Sequence, residues 1–356
     1  MGDKVLVIGA ARSGLAGAEF LAKQGNQVVL TDMKQAVQVD NLAELGVSFV
    51  WGEQPDVEAI KPDYIVMSPG VPLTIPPVKY AKEHGIPVIG ELELAYRNCK
   101  APFAAITGTN GKTTTTTLIG DLMKKTGRQV FVGGNIGVPI ITYADKLQEE
   151  DIVVAEVSSF QLETVESFCP HLALMINLTP DHLDRHGDMA GYLAAKARIF
   201  ENQKESDYLV LNYDDEALRE LAPQSRGKVI FFSQKHKLEE GVYLDGRKVM
   251  LALNGESLFI CNAAEIAIKG KHNLENAMGA IVFAYLSGVH AEDIRDVLMT
   301  FQGVEHRLEP VRTLNEVLYI NDSKGTNPDS TIKAIEAYDR PIVIILGGKN
   351  KGVPFT

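Results

Sequence analysis

Short apolar runs alternate along the chain with amphipathic stretches punctuated by glycine, the pattern of strands and helices in an α/β protein. Residues 4–8, 27–31, 64–67 and 88–89 form a first set of predicted strands, with a helix running through Leu21 between the first two. The turn Gly9-Ala-Ala-Arg-Ser-Gly14 follows the first strand and Asp32 closes the second. Strand, glycine turn, helix, strand and carboxylate make a Rossmann-like unit. Ser68, Pro69 and Gly70 follow the third strand as a rigid turn, at the carboxyl edge where open α/β sheets bind ligands. A second set, 103–106, 152–155, 172–176 and 208–211, is almost continuously apolar, as parallel strands covered on both faces should be. Residues 228–269 alternate in shorter runs, with turns at Asp245-Gly246 and Asn254-Gly255 that predict antiparallel hairpins; a helix is expected over 274–286. A third set places strands at 317–320 and 342–346 around a helix over 328–337, one βαβ unit.

These sets divide the chain into 1–91, 92–302 and 303–356, in line with two or three domains for 356 residues. The last block has about fifty residues, fewer than a doubly wound domain needs, so the chain is expected to be truncated within it. The net charge of −11 excludes broad nucleic-acid binding, so an anionic substrate must meet a local cluster of cations. Cys99, Cys169 and Cys261 show no metal-ligand spacing and read as buried thiols of a reducing compartment. No apolar run approaches membrane-spanning length and no signal peptide precedes the first strand, so a cytoplasmic protein, expected to be monomeric, is predicted.

The sharpest chemical signal is Thr107-Gly108-Thr109-Asn110-Gly111-Lys112-Thr113-Thr114, between a predicted strand and a helical pattern resuming at Leu118. Two glycines let the backbone approach phosphate oxygens, Lys112 supplies a cation, the Thr113 hydroxyl can hold Mg²⁺, and the helix N-terminus faces the anion. A standard Walker A loop would have its first glycine where Ile106 stands; a plain strand-to-helix turn is the bland alternative. Glu156 ends the 152–155 strand, where a carboxylate can hold the metal beside such a loop, against the alternative of a solvated acid. His182, flanked by Asp181 and Asp184, is a candidate for metal or substrate contact, against a structural histidine. Two other classes stay open on these residues: a nicotinamide-dependent dehydrogenase, weakened by Ala11 in the glycine turn, and a nucleotide-sensing switch.

The chain resembles the Mur ligases, which build the peptide stem of bacterial cell-wall precursors. The resemblance rests on Thr107-Gly-Thr-Asn-Gly-Lys-Thr113, Gly133-Gly-Asn-Ile-Gly137, Glu156-Val-Ser-Ser-Phe-Gln-Leu-Glu163 and Asn177-Leu-Thr-Pro-Asp-His-Leu-Asp184. It continues in Ala195-Lys196-Ala-Arg-Ile199, His272-Asn-Leu-Glu-Asn276, His306-Arg307-Leu-Glu309 and Asp322-Ser-Lys-Gly-Thr-Asn327. It implies a three-domain α/β architecture: a Rossmann-like N-terminal domain, a central P-loop NTPase-like domain with a parallel sheet, and an incomplete Rossmann-like C-terminal domain. Ser158-Ser-Phe-Gln-Leu-Glu163 and Asp322–Asn327 look like the D-glutamate-adding type, an ATP-dependent amide ligase acting on UDP-N-acetylmuramoyl-L-alanine through an acyl phosphate. A folate polyglutamate synthetase is a related alternative, disfavoured by the ninety or so residues of Rossmann-like unit before the phosphate loop.

Carried onto this sequence, the resemblance implies ATP contacts from Gly108, Thr109, Asn110, Gly111, Lys112, Thr113, Thr114, Asn276, Arg307 and Asp322. It implies UDP-substrate contacts from Ser13, Asp32, Ser68, Gly70 and Asn135, and D-glutamate contacts from Lys324, Thr326 and Lys351. Two Mg²⁺ ions would be held by Thr113, Glu156, His182 and Lys196, the lysine in carbamylated form, and Lys112, His182 and Lys196 would be catalytic.

Overall fold

The computed structural model describes residues 2–35 and 39–347, which divide into two compact units. The first comprises 1–107, 129–173 and 190–207; the second comprises 108–128, 174–189 and 208–356.

In the first unit, β1 (Lys4–Ile8), β2 (Gln27–Asp32), β3 (Ser48–Trp51), β4 (Tyr64–Met67) and β5 (Val88–Gly90) form a parallel sheet in the order β3-β2-β1-β4-β5. Leu6, Ile8, Ile65 and Met67 point from it into a core closed by Val78 and Ala81. Ile8 stands opposite both Thr31 and Met67, so Gly9, Asp32 and Ser68 emerge side by side at the carboxyl edge. The turn after β1 needs its glycines: a Cβ on Gly14 would collide with the Gly9 carbonyl oxygen. The helix Arg12–Lys23 can therefore start directly against the strand it leaves.

The same unit holds β6 (Phe103–Thr107), β7 (Val130–Gly134) and β8 (Ile152–Glu156), with β8 parallel to both β6 and β7. Every residue of β6 and β8 is buried, which explains their unbroken apolar sequence. Short β3 and β7 escape the sequence reading because their apolar runs are interrupted by serine or glycine.

Glu91 opens the helix Glu91–Arg97 and is fully buried; its Oε1 accepts from the Ile141 N–H at 2.9 Å, while Oε2 has no hydrogen-bond partner among the described residues. Burial pushes its pKa up to about 7, against the smaller opposing pull of the Ile141 and Ile140 amides. The folded state thus binds this proton more tightly than the unfolded chain. The stability it contributes is complete below the ordinary carboxylate value and is lost as pH rises through about 7. Glu91→Gln should reduce this slope and exceed the parent above neutrality by up to about 3 kcal/mol. Thermal unfolding of both proteins across pH tests this, and superimposable slopes would refute it.

β9 (Leu172–Met175) lies across the division between the units. In the second unit, β10 (Tyr208–Asn212), β11 (Lys228–Ser233) and β12 (Gly241–Asp245) pair in parallel, and β13 (Lys248–Leu253) and β14 (Glu256–Asn262) add antiparallel. The central sheet is therefore mixed, which corrects the expected parallel sheet. Tight turns at Asp245-Gly246 and Asn254-Gly255 reverse the chain, and reversal makes neighbouring strands antiparallel. β11 departs from the expected hairpins, since it pairs with β10 and β12 in parallel. The helix Lys271–Leu286 packs against the helix Lys112–Lys124 and strands β10 to β12; Ala277 to Ala284 are buried all round.

Beyond Gly303, β15 (Glu309–Leu314) and β16 (Val317–Asn321) form a hairpin, with Asn315 and Glu316 both at positive φ, followed by the helix Pro328–Glu336. This corrects the expected Rossmann-like βαβ unit. Residues 342–346 join no strand ladder among the described residues, and Val343 and Ile345 are almost fully exposed. An apolar run becomes a strand only where another backbone pairs with it, and the partner β16 takes is β15. The helix Ala291–Thr300 is a further element the sequence reading lacked.

Cys261 is buried, whereas Cys99 and Cys169 are half-buried; all three are free thiols. Burial pushes Cys169 and Cys261 up to about 11, the form of inert thiols. Among the described residues, no helix is long and apolar enough to cross a membrane.

Candidate functional site

In the second unit, Gly108 to Gly111 form a loop that Asn177 fastens. The N–H groups of Thr109 and Asn110 donate to Asn177 Oδ1 at 3.2 and 2.9 Å, and Asn177 Nδ2 donates back to the Asn110 carbonyl at 3.1 Å. The Thr109 hydroxyl donates to the Thr179 carbonyl at 3.1 Å and accepts from the Thr179 N–H at 3.0 Å. Lys112 curls over the loop, its Nζ donating to the carbonyls of Gly108 and Thr109 at 2.9 and 2.8 Å. Gly111 caps the following helix at φ +83, and a Cβ there would collide with Asn276 Oδ1, so the loop stays narrow at this point. Thr113 and Thr114 are buried in the first helical turn, where unpaired N–H groups and the helix dipole favour an anion.

Asn110, Gly111, Thr114, Asn276, Arg307 and Asp322 line one open cleft in this unit. Arg307 Nε is buried and has no hydrogen-bond partner among the described residues. Asp322 accepts from the Leu308 N–H at 3.0 Å, and burial raises its pKa. The cleft also exposes residues that sequence reasoning missed: His272, Asn273 and Lys333. Asn273 accepts from Asn276 Nδ2 at 3.1 Å. His272 is held neutral, its pKa pushed down to about 4 chiefly by burial and then by the Lys333 ammonium. A signal for the first two was present: 272, 273 and 276 share one face of a helix, so the choice of Asn276 brings its neighbours with it.

Lys324 and Thr326 are exposed in the loop between β16 and the following helix, and the Lys324 N–H donates to the His306 carbonyl at 3.1 Å. Lys351 lies outside the described residues. His182 adopts a left-handed backbone at φ +53, with Nε2 3.6 Å from Asp181 Oδ2.

In the first unit, Glu156 ends β8 beside Gly134. Its Oε1 accepts from Asn135 Nδ2 at 2.8 Å; its Oε2 is buried with no hydrogen-bond partner among the described residues. Lys196, in the helix Met189–Ala197, is 1% exposed. Its Nζ donates to the Thr107 hydroxyl at 3.4 Å and lies 4.7 Å from the Tyr192 ring centre. Of the four expected metal-holding residues, Glu156 and Lys196 belong to this unit and Thr113 and His182 to the other. No group of three or more His, Cys, Asp or Glu among the described residues is arranged to hold a metal.

Ser13 and Asn135 line a second cleft, of about 340 Å³, with Arg12, Pro69, Gly137 and Gln161. Asp32 accepts from the N–H groups of Ala10 and Lys34 at 2.8 and 2.9 Å, and the Ser68 hydroxyl donates to the Gly9 carbonyl at 2.8 Å. These two shape the turn; Gly70 follows as an exposed turn residue. Arg12 was missed, although it stands inside the glycine turn; its Nη1 donates to the Gly137 carbonyl at 3.0 Å.

Residues 106–284 match the family described as the Mur ligase middle domain, and residues 3–90 the family described as Mur ligase MurD-like, N-terminal domain. A UDP-N-acetylmuramoylalanine–D-glutamate ligase of Pelotomaculum thermopropionicum is 50% identical over 99% of this chain and 78% of its own length. The protein of that description from Clostridioides difficile is 46% identical over 99% and 79%. Among solved structures, MurF from Acinetobacter baumannii superposes with a TM-score of 0.59 at 19% identity, covering 92% of this chain and 69% of that one. The UDP-N-acetylmuramate:L-alanyl-gamma-D-glutamyl-meso-diaminopimelate ligase of Neisseria meningitides gives 0.58 at 20%, covering 86% and 100%. At such identities the structural likeness speaks for the fold alone.

Proposed function

The chain belongs to the UDP-N-acetylmuramoylalanine–D-glutamate ligases of the Mur ligase family, and from this premise we propose how its residues share the work. It is an ATP-dependent amide ligase that adds D-glutamate in peptidoglycan synthesis. The γ-phosphoryl group of ATP passes to the carboxylate of UDP-N-acetylmuramoyl-L-alanine, giving ADP and an acyl phosphate. The amine of D-glutamate attacks the acyl carbon, and the tetrahedral adduct collapses to the amide with release of phosphate.

The observation that carries this reading is the phosphate loop and its cleft, which gather Asn110, Gly111, Thr114, Asn276, Arg307 and Asp322 around one space. N–H groups of the first helical turn and Lys112 would hold the phosphates, Arg307 would add a second cation, and Asp322 would bind the ribose hydroxyls. Phosphoryl transfer to a carboxylate crowds negative charge, so these fixed cations act where charge develops.

Mg²⁺ would neutralise part of that charge. Thr113 and Glu156 each offer an oxygen donor of the kind a hard cation takes, and the buried Glu156 Oε2 has no hydrogen-bond partner among the described residues. His182 would serve a second ion, and Lys196 would ligate a cation only as a carbamate, since an ammonium cannot. Ser13, Asp32, Ser68 and Gly70, at the edge of the first sheet, and Asn135, just after β7, would serve the UDP-substrate. Lys324, Thr326 and Lys351 would serve D-glutamate. Family matches over 3–90 and 106–284 fall within functional domains at 1–91 and 92–302, and 303–356 would begin a third.

ATP hydrolysis that appears only when both UDP-N-acetylmuramoyl-L-alanine and D-glutamate are present, with a D-glutamyl product, is the expected result. Steady hydrolysis with neither present would instead describe a nucleotide switch.

A further inference from the structure

The phosphate loop is tied to the helix Pro328–Glu336 through Asn327 and Asp329, to which the ligation chemistry assigns no part. The Asn110 amide is held at both ends: its Nδ2 donates to Asp329 Oδ2 at 2.6 Å, and its Oδ1 accepts from Asn327 Nδ2 at 3.1 Å. A longer donation runs from Asn110 Nδ2 to Thr179 Oγ1 at 3.5 Å. Asp329 Oδ2 also pairs with Lys333 Nζ at 2.9 Å, one helical turn along. Asn327 caps the helix, its Oδ1 accepting from the Ser330 N–H at 2.8 Å. One carboxylate oxygen therefore joins the loop tip to a cation of the helix, and Asn110 and Lys333 both line the nucleotide cleft. Lys333 in turn helps keep His272 neutral on the same wall.

We propose that Asp329 is a positioning residue of the nucleotide cleft, coupling the phosphate loop to the helix Pro328–Glu336 through Asn110. Nucleotide seated on the loop fixes Asn110, which orders the first turn of the helix. By reciprocity, that turn holds the loop in its binding shape. Asp329 touches no reacting atom in this scheme. The coupling rests on the reading of the cleft as an ATP site, and its test separates the two.

Calorimetry with ATP on the whole chain, with Asp329→Ala, Asn110→Ala and the double variant, measures the link. Each single change should weaken ATP by about tenfold, the scale of one charge-assisted hydrogen bond. The double variant should be little worse than the weaker single, since both remove one interaction. Asp329→Asn keeps an acceptor for Asn110 Nδ2 and should stay within about threefold of the parent. Hydrogen exchange supplies a readout that a merely structural role would not move. ATP should slow exchange at the amides of residues 330–332 in the parent but not in Asp329→Ala, while the loop amides stay protected in both at saturating ATP. Additive losses, or undiminished protection of the helix in Asp329→Ala, would overturn the coupling. A parent that binds no ATP would overturn the cleft reading and the coupling with it.

Discussion

Replacing Lys112 by alanine is expected to slow acyl-phosphate formation by on the order of 10²–10³-fold, the usual loss when a preorganised transition-state charge is removed. The Lys112 ammonium already sits within the curve of the loop, 2.9 and 2.8 Å from two of its carbonyls, so its side chain needs little reorganisation to meet a phosphoryl group. Of the residues proposed for the UDP-substrate, Ser13, Asp32, Ser68 and Gly70 lie around the strand ends of a different sheet and Asn135 follows β7, so affinity for UDP-N-acetylmuramoyl-L-alanine should change by less than about threefold. Trapping the acyl phosphate with hydroxylamine measures the first effect and calorimetry the second. A variant that keeps more than about a tenth of the parent rate would remove Lys112 from phosphoryl transfer.

Lys196→Ala should be nearly inactive, with a loss of comparable size, and partly restored by formate or acetate. A lysine taken out of water favours its neutral amine, the form that attacks CO₂; the product is a carbamate anion and a released proton. Lys196 is 1% exposed, with the Thr107 hydroxyl and the Tyr192 ring near its Nζ, so a carbamate there would stand where small carboxylates can substitute for it. Isotopically labelled bicarbonate should give a carbamate signal in the parent that is missing from the variant. An unmodified ammonium at Lys196 in active, Mg²⁺-loaded enzyme would rule the carbamate out.

Local pattern made the phosphate loop legible. Gly108, Gly111, Lys112 and Thr113 advertise a strand-to-helix turn with exposed N–H groups before any neighbour is known, and the apolar periods located most of the strands whose ends carry the other candidates. Asn276, Arg307 and Asp322 were reachable only through resemblance, because nothing in their immediate surroundings marks a cleft.

By itself, the sequence determined most of the segments that fold as strand or helix, where glycine must admit a close backbone, and which strand ends carry charged groups. These follow from period, chirality and side-chain size, all properties of neighbouring residues. Tertiary structure alone decided that β11 pairs in parallel with β10 and β12, and that β16 takes β15 as its partner while residues 342–346 take none among the described residues. It alone decided that His272 and Lys333 face the same cleft as Asn276 and Arg307, and that Asn110 reaches Asp329, 219 residues away. A backbone N–H or a buried carboxylate can be satisfied by any of several distant groups, and a local pattern fixes which face is buried but not which partner meets it there.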